Sequence, residues 1–430
     1  MKILVAATPL MGHLNPLLAI GYMLINEGHE VVGLSSSVMR DHIEAIGADF
    51  RPFPGAADLD LRNISAVFPE IKNIPPGEEM SRFYMERVFI DPIPAQHAAL
   101  RRTLQDFPAD VIITDSGLFG SFPMLLGPRS ERPAIVSCGV SFLLSRRDDG
   151  APHLAGLPPA SNQAQLEEYA RAFKEHEKEF IAPITDYLDK CLETFQVPSL
   201  GMNFFDAMVA LPDAYLQLTT PSFEFPRREL PTSVHFVGAL PTIPSQIPLP
   251  SWANELDGSR RIVLVTQGTL ANHNFDQLVV PTLIALKNEP DVLVIVTTGG
   301  RPIEVIAGPI PDNVRLATYL PFKWALPKTD VLVTNGGYGS VNLALSVGVP
   351  IVGAGLTEDK SDVNARVAWS GAGVDLATNE PTPAALRVAI RDVLDNPTYR
   401  ARASAISRDF KAIDTRHDVL RILREVSNSK

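Results

Sequence analysis

The strongest constraint on the fold is an alternation of short apolar β-type runs with amphipathic helical patterns, which occurs in both halves of the chain. In the first half, Lys2–Thr8 and the run EVVGLS at 30–35 flank a helical pattern from Pro16 to Glu27, and Gly28 follows this pattern as a helix-ending residue. Strand, helix, strand units build parallel sheets with helices on their faces. The sequence therefore predicts an α/β protein.

Two further β-type runs in the first half, Ala109–Asp115 and Pro133–Cys138, flank a helical pattern over residues 117–126. Irregular insertions over residues 52–108 and 145–211 interrupt the alternation. Insertions beside a regular scaffold usually carry ligand specificity.

The segment 219–259 contains seven prolines and little periodicity, which is typical of a linker. After it, six β-type runs lie between Arg260 and Leu376. Helical patterns follow or separate them at 275–287, 339–347, 363–369, 384–394 and 399–426. We predict two doubly wound α/β domains that face each other across a cleft. The predicted parts are an N-terminal domain over 1–218, the linker over 219–259, a C-terminal domain over 260–395, and closing helices over 396–430 that pack back toward the first domain.

The composition excludes several classes of protein. A net charge of -11 argues against a nucleic-acid partner, because such proteins usually bind the phosphate backbone through a basic surface. Cys138 and Cys191 are too few for a disulfide framework and have no metal-type spacing, which favours a cytoplasmic setting. No apolar run approaches the length that spans a bilayer, so we expect no stable membrane insertion.

Glycine-containing turns follow two β-type runs of the second half, at TNGGYGS (334–340) and TQGT (266–269). Glycine permits a positive φ and the close approach of a ligand, and the start of the following helix offers free N–H groups to an anion such as a diphosphate. Neither GxGxxG nor GxxxxGK[ST] is present, so the sequence supports neither an NAD fingerprint nor a P-loop. An ordinary strand-to-helix turn without a ligand is the alternative for each.

In the first half, His13 lies in the turn PLMGHLNP at the entrance of a helix. Asp115 ends a strand that we place in the same sheet, where its carboxylate would orient the imidazole of a general base. The alternative interpretation is that His13 is a polar turn residue or a helix cap.

Taken together, the three turns resemble the GT-B glycosyltransferases of glycosyltransferase family 1. The stretch from Tyr319 to Leu376 is similar to the long sugar-donor signature of that family, and GHLNP and TQGT match its shorter motifs. The resemblance spans nearly the whole chain. It implies an inverting, metal-independent transfer of a sugar from a nucleotide-diphosphate sugar, most simply a UDP-sugar, to a hydroxyl of a small hydrophobic acceptor.

The resemblance also implies residue roles. His13 would deprotonate the acceptor, and Asp115 would hold its ring. The nucleotide sugar would be bound by Gly268, Thr269, Gly337, Gly339 and Ser340 at the diphosphate, Tyr319 at the base, and Asp359 and Lys360 at the sugar. The family needs no cofactor beyond this co-substrate.

Three positions depart from the family pattern. Asn335 replaces the usual histidine and retains a hydrogen-bond donor for phosphate, while Leu343 falls where a carboxylate usually holds the ribose. Lys360 replaces the usual glutamine. It would favour an acidic sugar, supply a missing charge to the phosphates, or pair with Glu358 or Asp362 at the surface, and we expect the surface pair.

The remaining expectations concern the acceptor, metals and assembly. The insertions would form an apolar acceptor pocket with aromatic side chains, although each of them is equally compatible with the core: Phe83, Tyr84, Phe89, Phe119 and Phe142.

The only simple DxD, at Asp58 and Asp60, lies in an irregular segment, so no metal site is expected. We expect a monomer or weak dimer. The alternatives are a non-catalytic auxiliary subunit that binds the sugar donor, or a GT-B-like nucleotide-sugar epimerase.

Overall fold

Two parallel β-sheets, each covered by helices, form the framework of the computed structural model, which describes residues 1–75, 77–244, 247–269, 272–306 and 308–429. The strands of the first sheet are β1 (Lys2–Ala6), β2 (Glu30–Ser35), β3 (Asp49–Pro52), β4 (Val111–Asp115), β5 (Ala134–Gly139), β6 (Ala214–Gln217) and β7 (Val234–Phe236). Those of the second are β8 (Arg261–Thr266), β9 (Val292–Thr297), β10 (Val314–Ala317), β11 (Val331–Thr334), β12 (Ile351–Gly353) and β13 (Gly373–Asp375). The predicted α/β class, with two doubly wound units, is confirmed.

The helices of the first half are α1 (Met11–Asn26), α2 (Arg40–Glu44), α3 (Ile64–Val67), α4 (Glu78–Phe83), α5 (Ile93–Asp106), α6 (Phe122–Leu126), α7 (Gln163–His176), α8 (Ala182–Glu193) and α9 (Phe204–Ala210). Those of the second half are α10 (Val279–Leu286), α11 (Phe322–Ala325), α12 (Tyr338–Ser346), α13 (Lys360–Trp369), α14 (Pro383–Asp395), α15 (Pro397–Ala412) and α16 (Thr415–Asn428). Two π-helical segments, Tyr84–Ile90 and Glu177–Ile181, continue α4 and join α7 to α8.

The strand order reverses direction once in each sheet. The first sheet runs β3-β2-β1-β4-β5-β6-β7, so the chain moves outward from β1 to one side and from β4 to the other. The second runs β10-β9-β8-β11-β12-β13, with the reversal between β8 and β11. The loops that leave the carboxyl ends of two such neighbouring strands diverge and open a crevice, which is where ligands of doubly wound sheets bind.

The hydrophobic core extends across both sheets. Alternate side chains of a strand point to opposite faces of its sheet. On β8, Ile262 and Leu264 belong to the large core that includes the first sheet, whereas Val263 and Val265 belong to a second core with α10 and α14. The two sheets are therefore joined by apolar packing and not only by the chain between them.

Several helix boundaries differ from the predictions, among them the starts of α6 and α10, which lie at Phe122 and Val279 and not at 117 and 275. Helix α1 begins at Met11, not at Pro16, and includes Pro16. The predicted helix over 399–426 is two helices, because the side chain of Asp414 accepts a hydrogen bond from the backbone N–H of His417 and starts α16.

Strands β3, β6 and β7, of four, four and three residues, were not predicted. Strand β7 lies within the segment 219–259 and pairs with β6, so part of the predicted linker belongs to the first sheet. Helix α16, at the end of the chain, packs against β5 and β6, and Thr415 Oγ1 donates a hydrogen bond of 3.2 Å to the carbonyl of Ala239.

Among the described residues, none of the helices combines the length and apolar character that crossing a membrane requires.

Candidate active site

His13 and Asp115 meet at the reversal point of the first sheet. His13 lies in the first turn of α1, directly after the loop that follows β1, and Asp115 is the last residue of the neighbouring strand β4. Nδ1 of His13 is 2.6 Å from Oδ1 of Asp115, and the two side chains are 20% and 0% exposed. The contact predicted between them is present.

Backbone and hydroxyl groups hold the buried carboxylate of Asp115 in place. Thr8 donates its N–H to Oδ2 at 2.7 Å and its hydroxyl to Oδ1 at 3.1 Å, and the N–H of Gly117 reaches Oδ1 at 2.8 Å. Burial alone would raise the pKa of Asp115, but the charge and hydrogen bond of His13 and these backbone donors outweigh it and lower the pKa. Asp115 is therefore ionised whenever the protein is folded near neutral pH.

The ionised carboxylate fixes the tautomer of the imidazole. Because Nδ1 of His13 donates its hydrogen to Asp115, Nε2 of the neutral ring carries a lone pair. Among the described residues no group donates a hydrogen bond to this nitrogen, and the ring of Phe89 lies 5.8 Å from the imidazole centre. The site thus presents a partly exposed base beside an aromatic side chain.

The glycine turn after β11 lies at the reversal point of the second sheet, next to the turn after β8. Gly336 has a φ of +99°, and Gly337 precedes α12, whose N-terminus has no side-chain cap. A Cβ atom added at Gly268, Gly337 or Gly339 would meet nothing within 4 Å. The space beside these glycines is open, so an anion can approach the backbone near the free N–H groups of this helix start.

The side-chain amide of Asn364, on α13, packs against the glycine turn and donates a hydrogen bond to its backbone. Its Nδ2 donates to the carbonyls of Asn335 and Gly355, at 3.3 and 3.2 Å, and a Cβ atom at Gly336 would lie 2.4 Å from its Oδ1. The side chain of Asn335 donates to the carbonyl of Gln267 at 2.9 Å and so ties the two turns together. Sequence reasoning missed Asn364, because its role depends on how α13 packs against the turn.

Asp359 and Lys360 lie at the start of α13. Asp359 accepts a hydrogen bond of 2.6 Å from Ser141, which follows β5 of the first sheet. Lys360 forms an ion pair with Glu358, as predicted, but the expected location at the surface is wrong: the Lys360 side chain is 9% exposed. Burial lowers the pKa of Lys360 to about 8.

The other predicted donor-site residues lie around the same edge of the second sheet. Tyr319, after β10, is 50% exposed, and its hydroxyl lies over Gly300. Thr269 is exposed and Ser340 is partly buried, each beside its glycine turn. Leu343 packs against the core.

The five predicted acceptor-pocket aromatics do not form one cluster. Phe89 contacts His13, and Phe119 is buried behind Phe89 with 6.1 Å between ring centroids. Phe142 is buried against the guanidinium of Arg366, whereas Phe83 and Tyr84 are partly buried and pack edge to face. Of these side chains, the structure brings Phe89 to the base.

The described residues contain no group of three or more histidine, cysteine, aspartate or glutamate side chains that could hold a metal ion. In the DxD sequence, Asp58 accepts hydrogen bonds from the side chains of Ser36 and Ser37, and Asp60 pairs with Arg62. These carboxylates are occupied by local structural contacts.

A buried ion pair joins the two sheets behind the cleft. Arg366 of α13 is 0% exposed, and its Nε donates to Oε1 of Glu224 at 2.8 Å. Glu224 also accepts the N–H of Leu143, from the loop after β5, at 3.0 Å. The rings of Phe142 and Phe225 lie 4.3 and 4.0 Å from the guanidinium carbon. This arrangement fixes α13, and with it Asp359 and Asn364, relative to the first sheet.

Comparisons with known proteins agree with this architecture. The C-terminal domain model of the erythromycin biosynthesis protein CIII-like family matches residues 282–426. The chain is 36% identical over 427 residues to 4'-demethylrebeccamycin synthase of Lentzea aerocolonigenes, with 98% of each chain covered. It is also 36% identical over 427 residues to UDP-glycosyltransferase 2 of Phaeomoniella chlamydospora, with 96% of this chain and 92% of that protein covered.

Solved structures show the same fold at lower identity. The calicheamicin glycosyltransferase CalG4 superposes with a TM-score of 0.74 at 19% identity over 99% of this chain and 98% of that chain. The glycosyltransferase VinC in complex with dTDP superposes with a TM-score of 0.67 at 21% identity over 100% of both chains. The chain is therefore a glycosyltransferase and belongs to glycosyltransferase family 1, the nucleotide-sugar-dependent enzymes of the GT-B fold.

Proposed function

We propose that the enzyme transfers a sugar from a UDP-sugar to a hydroxyl group of a small hydrophobic acceptor, with His13 as the general base. The observation that carries this proposal is the His13–Asp115 pair, with a hydrogen-bonded Nδ1 and an open Nε2 beside the ring of Phe89. An oriented imidazole of this kind removes a proton from a hydroxyl group efficiently near neutral pH.

The reaction is a direct displacement at the anomeric carbon. Nε2 of His13 takes the acceptor proton, and the acceptor oxygen forms a bond to the anomeric carbon as the bond from that carbon to the diphosphate oxygen breaks. The electron pair leaves with UDP, and the configuration inverts. Asp115 stabilises the imidazolium, and the N–H groups at the start of α12 stabilise the charge on the leaving diphosphate.

Support for the nucleotide and the acceptor comes from different observations. UDP appears in the name of the relative from Phaeomoniella chlamydospora, which favours a UDP-sugar. VinC was solved with dTDP, so dTDP-sugars are the donors to compare with UDP-sugars. The position of Phe89 beside the base favours an acceptor with an apolar, aromatic portion.

The test is an assay of nucleotide release and product formation with UDP-glucose, UDP-glucuronate and dTDP-glucose against a panel of phenols and aliphatic alcohols. We expect product with a UDP-sugar and a phenolic or alicyclic acceptor, and an anomeric coupling constant that shows inversion. Retention of configuration, or full turnover by His13→Ala, would overturn the mechanism. Binding of nucleotide sugars without transfer to any acceptor of the panel would contradict the proposed acceptor class.

A further inference from the structure

A small cavity beside the glycine turn contains one cationic side chain. The cavity has a volume of about 40 Å³, and its lining includes Gln267, Asn335, Gly355, Thr357, Lys360 and Asn379. Lys360 is the only charged residue among the described residues that line it. The turns after β8, β11 and β12 therefore line one cavity together with the side chain of Lys360.

The present partner of this ammonium is exposed and conformationally unusual. Nζ of Lys360 pairs with the carboxylate of Glu358, whose side chain is 53% exposed. The same Nζ lies 3.5 Å from the carbonyl oxygen of Thr357. Glu358 has a φ of +55°, a backbone conformation that non-glycine residues rarely adopt. A buried ammonium whose counter-ion is exposed to solvent gains from an anion that reaches it inside the cavity.

The glycine turn itself brings no cationic side chain to a diphosphate. Asn335 is neutral, and one of its amide hydrogens is used on the carbonyl of Gln267. The start of α12 contributes a partial positive charge of about half a unit, which is less than the charge of a nucleoside diphosphate. Lys360 is the nearest full positive charge that lines the cavity next to Asn335.

We propose that Lys360 binds the diphosphate of the nucleotide sugar, with its ammonium exchanging the Glu358 carboxylate for a phosphate oxygen when the sugar donor binds. This inference rests on the proposed function, because it requires a nucleoside diphosphate in the cleft. Glu358 then acts as a competitor that occupies the cation in the free enzyme.

Calorimetric titration with UDP, UMP and uridine separates the diphosphate from the rest of the nucleotide. We expect Lys360→Met to weaken UDP binding about ten- to a hundredfold, as for the loss of a charged hydrogen bond, and to change uridine binding less than about twofold. Lys360→Arg should restore a large part of the UDP affinity. Lys287→Met, which removes an exposed lysine after α10, is the matched control and should bind UDP like the wild type.

Glu358→Gln and a pH series test the exchange without removing the lysine. Removal of the competitor should tighten UDP binding by the wild-type lysine several-fold. Because burial lowers the pKa of Lys360 to about 8, UDP affinity of the wild type should fall as the pH rises through and above this value, and that of Lys360→Arg should not. These two measurements decide the question even if Lys360→Met fails to fold.

Unchanged UDP affinity in Lys360→Met, or weaker UDP binding in Glu358→Gln, would overturn the inference. So would a Lys360→Met variant that binds UDP normally but loses a preference for UDP-glucuronate over UDP-glucose, since Lys360 would then recognise a sugar carboxylate. If the wild type binds neither UDP nor dTDP, the proposed function fails and not only the role of Lys360.

Discussion

The hydroxyl of Ser141 donates a hydrogen bond of 2.6 Å to Oδ2 of Asp359 and thereby connects the loop after β5 to the start of α13. This contact places a carboxyl group of the second-sheet side close to His13. Burial raises the pKa of Asp359 above its ordinary value, although the hydrogen bond from Ser141 and the charge of His13 act in the opposite direction. The two sides of the cleft are therefore electrostatically coupled before any ligand binds.

Loss of the imidazole should strongly reduce turnover without loss of nucleotide binding. For His13→Ala we expect kcat to fall by about 10²- to 10⁴-fold, the usual contribution of a general base, and UDP affinity to stay within about twofold. Initial rates and calorimetry measure the two quantities. His417→Ala, an exposed histidine of α16, is the control, and an equal loss of UDP affinity and turnover in His13→Ala would argue for a structural role.

Two adjacent glycines should respond differently to alanine. Gly336→Ala places a Cβ atom 2.4 Å from Asn364 Oδ1 at a φ of +99°, so we expect a loss of about 1–3 kcal/mol in the free energy of unfolding. At Gly337 the backbone φ is -59° and an added Cβ atom would meet nothing within 4 Å. Gly337→Ala should therefore leave the free energy of unfolding unchanged and weaken UDP binding roughly tenfold. Urea unfolding and calorimetry distinguish them, and normal UDP binding by Gly337→Ala would show that no ligand approaches this backbone.

The pair of Glu224 and Arg366 should be more costly to break than to replace with apolar side chains. Glu224→Gln leaves the buried guanidinium with Asp362 as its remaining carboxylate neighbour, at 3.6 Å, and we expect a loss of about 3–5 kcal/mol in the free energy of unfolding. The double variant Glu224→Leu, Arg366→Met should regain part of this loss, because it removes the guanidinium of Arg366 but still takes the carboxylate partner from the buried Arg227, 3.5 Å from Glu224. Urea midpoints give the result, and Arg421→Met, which breaks an exposed pair with Glu425, should cost less than about 1 kcal/mol.

If both variants of the buried pair are equally unstable, the partners act independently and the proposed coupling between them is wrong. Comparable kcat values in the double variant and the wild type would show that apolar packing alone fixes α13.

Acid stability should depend on a buried histidine outside the cleft. His153 stacks on Phe205 at 4.5 Å and is 7% exposed, and burial, with the charges of His176 and Arg227, lowers the pKa of His153 from 6.5 to about 3. Between these values the unfolded chain binds a proton that the folded protein excludes, so stability falls as the pH drops below 6.5. At pH 5 this effect amounts to roughly 2 kcal/mol.

His153→Phe, which keeps an aromatic ring at this position, should reduce the difference between the urea midpoints at pH 7 and pH 5. The control His417→Phe changes an exposed ring and should leave the difference as in the wild type. An unchanged difference in His153→Phe would mean that other groups determine the acid sensitivity.

Local patterns in the sequence were sufficient for much of the fold and for one half of the candidate site. Period-2 and period-3.6 patterns depend on neighbouring residues, so β1, β2, β4 and the central strands of the second sheet were predictable. Once β1 and β4 were assigned to one parallel sheet, the contact between His13 and Asp115 followed, since the carboxyl ends of adjacent parallel strands lie together. The glycine turns were predictable for the same reason.

Contacts between the two halves were decided by the tertiary structure alone. Glu224 and Arg366 are separated by 142 positions, and Ser141 and Asp359 by 218, so no local periodicity relates them. Lys360 illustrates the difference: its ion pair with Glu358 is local and was predicted, but its burial depends on how α13 packs against three separate turns. The sequence by itself determined most of the strands, the glycine turns and the contact between His13 and Asp115, whereas the packing of the sheets determined which charges are buried in the cleft.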